Sequence, residues 1–122
     1  MNTKSPFSAE MITSTESNAQ IWQLSGKMVG GSCCYDFLEI VRDNVKKGQI
    51  HPILDLTEVI LANSTGLGVL ASIFTAAKDA GGAMLLVGVN DRIRSVLKVI
   101  NLWFAIKTFD TREEALAHLA KG

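Results

Sequence analysis

Groups able to do chemistry are few and scattered in this sequence of 122 residues. The two histidines, His51 and His118, lie far apart, and neither has an acid or nucleophile beside it in the chain. His51 precedes Pro52 and reads as a strand-entry residue. His118 falls near the end of a C-terminal helix, where positive charge is favoured. Asp55 sits inside the apolar run Ile53 to Leu56, but one acid without a paired base is thin ground for catalysis, and a strand-end carboxylate bonding loop N–H groups is the simpler role. Cys33 and Cys34 are adjacent, which allows only a strained ring and matches no zinc spacing, so both are expected to be reduced packing thiols. Gly26-Lys27-Met28-Val29-Gly30-Gly31 lacks the spacing of a Walker or dinucleotide loop and reads as a turn. Ser64-Thr65-Gly66 is more suggestive, because two hydroxyls stand where a helix begins. Ser64 has the context of an N-cap, which would place its hydroxyl at the helix mouth beside unpaired N–H groups. Met28 and Val29 are hard to bury in a loop, and next to Ser64 they would form an apolar binding patch.

The elements that must position these groups follow from periodicity. Met11 to Thr15 and Gln20 to Ser25 are β-rich and flank a polar turn, so they predict a hairpin. A loop from Gly26 leads to a helix over 32–47, where Tyr35, Phe37, Leu38, Val41 and Val45 recur at helical spacing before Gly48. His51 to Leu56 reads as a central strand, and Thr57 to Asn63 as an exposed connection. A second helix from Ser64 carries Leu67, Leu70, Phe74 and Ala77 on the face expected to meet the sheet, and Gly81-Gly82 stops it. Ala83 to Val89 is a second buried strand. Asn90-Asp91 caps a third helix with Ile93, Val96, Leu97 and Ile100, which closes at Asn101-Leu102. Ala105 to Phe109 forms a last strand, and Asp110 or Thr111 caps a final helix with Glu113 and Glu114 in its first turn. Trp103 and Phe104 are expected to pack over the sheet edge, and Trp22 on one face of the sheet. The order β-β-α-β-α-β-α-β-α implies a single α/β domain. Its mixed sheet opens with an antiparallel hairpin and continues with parallel strands, with about four helices around it. Residues 1–8 read as a flexible tail and 9–122 as the domain.

Composition narrows the function. Apolar residues make up 48% of the chain, enough for a core without disulfides or metal. Twelve basic and twelve acidic residues balance, which excludes the basic footprint of a nucleic-acid or anionic-membrane binder. The start of the chain has no signal-peptide pattern, and no apolar run approaches the ~20 residues of a membrane span, so a cytoplasmic location is expected.

A family resemblance rests on several pieces in order: Leu54-Asp55-Leu56-Thr57, Asn63-Ser64-Thr65-Gly66-Leu67-Gly68-Val69-Leu70, Ala80-Gly81-Gly82 and Leu85-Leu86-Val87-Gly88-Val89. Ile93, Val96-Leu97, Asn101-Leu102 and Glu113-Glu114-Ala115-Leu116 continue it. From about Gln20 onward the chain resembles the bacterial anti-sigma factor antagonists of the STAS domain family. The resemblance implies a non-enzymatic, cofactor-free protein that binds an anti-sigma factor, usually a GHKL-type serine kinase, and frees a sigma factor. It further implies that the kinase switches the protein off at Ser64 and that a PP2C-type phosphatase resets it; Thr65, a second hydroxyl at the helix start, is an alternative acceptor. ATP and metal would belong to the partners. The implied partner surface comprises Lys27, Met28, Val29, Asn63, Ser64, Thr65, Gly66 and Leu67. Asn63 stands where phosphorylated members usually carry aspartate, and the Gly26 loop lacks the acidic residues common there. An unphosphorylated STAS scaffold, or a subunit of a larger signalling or transport assembly, is the alternative reading. A small enzyme or ligand binder is a third, disfavoured because no histidine or lysine is poised beside Ser64 to activate it. Assembly into a homodimer is left open.

Overall fold

The computed structural model describes residues 7–12, 18–99, 101 and 103–121. Thr13 to Thr15 of the expected first strand, Ile100, Leu102 and most of the expected tail lie outside the described residues. The elements are β1 (Phe7–Ile12), β2 (Ala19–Met28), α1 (Ser32–Lys46), β3 (His51–Ala62), α2 (Ser64–Asp79), β4 (Leu85–Val87), α3 (Asp91–Val99), β5 (Lys107–Phe109) and α4 (Arg112–Lys121). This is the expected order. The sheet runs β1-β2-β3-β4-β5, with β1 antiparallel to β2 and every later pair parallel. Strands β3 and β4 pair as anticipated, Ile53 beside Leu85 and Asp55 beside Val87.

Alternation along the strands sorts side chains onto two faces. Trp22, Leu24, Leu54, Leu56 and Leu86 join Phe37, Val41, Leu70, Ile73, Ile93 and Leu97 in one core against α1, α2 and α3. Trp22 meets Phe37 edge-on at 5.1 Å, and its indole N–H donates to Gln20 Oε1 at 2.8 Å. Their neighbours Ile21, Ile53, Leu85 and Val87 face the other way and pack with Ala115 of α4. Cys33 and Cys34 are free thiols, half-buried and buried.

Several boundaries differ from expectation, each for a physical reason. Strand β1 already includes Phe7 and Ser8, which the sequence pattern places in the tail, because Phe7 is buried and β1 pairs with β2 from Phe7↔Gly26 onward. The supposed turn from Gly26 is strand through Met28, and the supposed connection from Thr57 is strand through Ala62. The two stretches pair with each other across two register shifts, and this pairing buries Met28 completely. Strand β4 covers only Leu85–Val87 of the expected Ala83–Val89, and it ends where Gly88 turns the chain at φ 66°, close against Thr57. In the α2 stripe, Leu67, Leu70 and Ala77 are buried, whereas Phe74 packs on the rim of the core and stays half-exposed. Trp103 packs partly into the core beneath the cations of Arg94 and Lys98, but Phe104 is 82% exposed, against expectation.

Candidate functional site

The β2–β3 ribbon extends beyond β4, and both α1 and α2 begin at its far end. Asn63, not Ser64, caps α2: its backbone is extended, and its Oδ1 accepts from the Gly66 N–H at 3.0 Å. Ser64 is therefore the first helical residue, and its expected capping role falls to its neighbour. Ser64 is exposed, and Thr65 is half-buried. A β-carbon added at Gly30 would come within 2.9 Å of the Thr65 methyl, and one at Gly66 within 2.0 Å of the Met28 carbonyl oxygen, so glycine is required for this close packing. The Asn63 N–H donates to Met28 O at 3.1 Å, and its side-chain Nδ2 donates to Val29 O at 3.1 Å. The first turns of α1 and α2 contain no acidic residue, so the positive ends of both helices are unopposed by their own side chains.

Of the eight sequence-selected surface residues, Lys27, Asn63 and Ser64 are exposed, and Val29 and Thr65 are half-buried. Met28, Gly66 and Leu67 are buried and support that surface from beneath. The patch is thus polar, with one cation and little apolar area, rather than the Met28–Val29 patch expected from a loop.

The other candidates have structural partners. Asp55 does not end a strand. Its Oδ1 accepts from the Thr57 N–H at 3.0 Å and the Thr57 hydroxyl at 2.5 Å, while Oδ2 pairs with Arg112 Nε at 2.8 Å. Burial pushes its pKa up, but the Thr57 bonds and Arg112 outweigh that and hold it below the ordinary value. Arg112 also donates to Gln23 Oε1, tying α4 to β2 and β3. His51 Nδ1 accepts from the Ala83 N–H at 3.1 Å, and burial lowers its pKa. His118 lies against Phe109 at 5.4 Å between ring centres. Among the described residues no cluster of His, Cys, Asp or Glu has the arrangement to hold a metal. Arg112 escaped notice in the sequence because it lies 57 positions from Asp55. Asn63 had a signal, since asparagine is as strong a cap as serine.

The STAS domain profile matches residues 12–115. The chain belongs to the STAS domain family. A candidate anti-sigma factor antagonist of Thermotoga neapolitana is 36% identical over 72 residues, which is 59% of this chain and 64% of that protein, less than two thirds of its length. The anti-sigma factor antagonist SpoIIAA in its unphosphorylated form superposes with a TM-score of 0.81 at 14% identity, covering 94% of this chain and 98% of that one. SpoIIAA is also known in a phosphorylated form, with a TM-score of 0.68, and at this identity the likeness is one of STAS fold. A sulfate transporter family protein of Wolinella succinogenes has a TM-score of 0.73 at 25% identity, over 87% of this chain and 88% of its own. No described helix is long and apolar enough to cross a membrane.

Proposed function

We propose that this STAS domain is a non-enzymatic anti-sigma factor antagonist, acting in the cytoplasm, whose partner surface is the α2 N-terminus with the β2–α1 loop. Binding there of an anti-sigma factor, a serine kinase of the GHKL type, releases a sigma factor, and phosphorylation of Ser64 breaks the contact until a PP2C-type phosphatase removes the phosphate. The observation that carries this reading is the placement of Ser64: exposed, first in its helix, and free of the capping duty that Asn63 performs. A phosphate there adds about −1.5 to −2 charge at a helix N-terminus that favours it, so modification changes the surface without unfolding the domain. Thr65, whose methyl abuts Gly30, is the less accessible hydroxyl.

The test is incubation with the cognate kinase and ATP, followed by mass analysis. Phosphate is expected on Ser64, and Ser64→Asp should stay folded yet bind the kinase at least tenfold more weakly. Absence of phosphate on Ser64 and Thr65, with full binding by Ser64→Asp, refutes the switch. The likeness to a sulfate transporter family protein then favours the second reading, an unmodified STAS scaffold or subunit of a larger assembly.

A further inference from the structure

We infer that the Asn63 carboxamide is a positioning group that clamps the β2–α1 loop onto the start of α2, making residues 27–31 and 63–65 one preorganised surface. Its functional meaning rests on the reading of that surface as the partner face; the clamp itself follows from donors and acceptors. Oδ1 accepts from the Gly66 N–H, which needs only an acceptor, and Nδ2 donates to Val29 O, which needs a donor. A carboxamide supplies both at once. The strand end at Met28 is held independently, by the Asn63 N–H and by the close approach of Gly66. Beyond it come Gly30 and Gly31, both at positive φ (97° and 89°), a backbone with wide conformational freedom. The Gly31 carbonyl accepts from the Tyr35 N–H at the start of α1 and Gly30 packs against Thr65, so the bond to the Val29 carbonyl is the one that ties the loop before them to α2. A loop held in place before a partner arrives does not lose that freedom on binding, which favours affinity.

Aspartate at position 63 separates the two bonds. It has the same shape, keeps an acceptor for Gly66, and places a favourable charge at a helix N-terminus. Ionised, it has no donor and sets a carboxylate oxygen against the Val29 carbonyl. Asn63→Asp at neutral pH should therefore cap α2 and release the loop, whereas Asn63→Ala should lose both bonds.

The experiment uses the 15N-labelled full chain and reads backbone order parameters at Gly30 and Gly31 together with hydrogen exchange at the Gly66 amide. In the parent, both glycines should show order parameters near the ~0.85 of rigid backbone. In Asn63→Asp they should fall below ~0.6, with Gly66 exchange within about threefold of the parent. In Asn63→Ala the loop should loosen equally, and Gly66 exchange should rise roughly tenfold, the scale of one lost hydrogen bond. Parental loop order in Asn63→Asp, or flexible glycines in the parent, overturns the inference. So does loss of Gly66 protection in Asn63→Asp. No kinase, phosphate or partner enters the measurement, so a failed clamp leaves the antagonist reading intact, and a failed phosphorylation test leaves the clamp intact.

Discussion

Removal of the Arg112 guanidinium should expose how strongly α4 depends on one polar residue in the central strand. The Asp55 side chain is 8% exposed and that of Arg112 32%, so the pair is neither fully dry nor freely solvated. Breaking a buried pair by deleting one partner costs about 3–5 kcal/mol when the remaining charge is stranded. Asp55 keeps two bonds from Thr57, and the space left by Arg112 opens towards solvent, so the loss should approach that of a charge-assisted hydrogen bond, about 1.5–3 kcal/mol. For a domain of this size that is a fall in Tm of roughly 6–12 °C. The effect should also depend on pH. A carboxyl whose folded pKa is depressed contributes stability that is fully present above its unfolded pKa of about 3.9 and is lost as pH falls through the folded value. Urea unfolding of the parent and of Arg112→Ala should therefore differ most at neutral pH and converge only below the ordinary carboxylate range, as pH falls through the depressed folded pKa and Asp55 loses the charge it pairs. A difference under about 0.5 kcal/mol at pH 7, the range of ordinary surface substitutions, would refute the reasoning. A gap that stays constant as pH falls through the range in which Asp55 gains its proton would show instead that Arg112 acts by packing alone.

Three further substitutions probe the site and its frame. Asn63→Ala should cost about 0.5–2 kcal/mol for the lost cap, while Ser64→Ala stays within about 0.5 kcal/mol of the parent; urea midpoints in the opposite order would return the cap to Ser64. Gly66→Ala, ordinarily a stabilising change inside a helix, should destabilise by about 1–3 kcal/mol or more, because its methyl would meet the Met28 carbonyl; an increase in Tm would refute that close approach. Phe74→Ala should fall short of the ~3–5 kcal/mol of a fully buried aromatic, at roughly half that value, since the ring stays half-exposed; calorimetry giving the full loss would place it inside the core.

Which parts of this architecture could be read from the sequence depends on how local their causes are. Helices α1, α2 and α3 were legible because their apolar stripes and stops are contained within each segment, as in Phe37, Val41 and Val45 followed by Gly48. The N-cap of α4 was equally local: the Glu114 N–H donates to the Thr111 hydroxyl, and the Glu114 carboxylate accepts from the Thr111 N–H in return. The ends of β2 and β3 were not legible, because Gly26 and Lys27 signal a turn and Thr57-Glu58 interrupts an apolar run. Only their pairing across two register shifts makes both stretches strand. The misplaced cap has a similar origin. Asparagine and serine compete equally by propensity, so the sequence alone leaves the cap open; in the structure Asn63 takes it, and its Nδ2 also reaches Val29, 34 positions away. For the partner surface, its location at the start of α2 was legible, but its chemistry was not, since the fate of Met28 depended on that same distant pairing.

Parallel strands give the site its position and its charge preference together. In this sheet β2 leads into α1 and β3 into α2, so both helices start from the same end of neighbouring strands and their positive termini converge there. Because β4 stops at Val87 while β3 continues to Ala62, the last residues of β3 extend past the β4–α3 connection, whose Asn90 side chain donates to the Val59 and Ile60 carbonyls. A rigid scaffold thus carries an exposed hydroxyl at a point where added negative charge is favoured by the local backbone. The core beneath it, from Met28 to Leu67, is already complete without that hydroxyl. A change at Ser64 can therefore alter what the surface presents while leaving the fold that presents it undisturbed, which is what a reversible partner switch requires.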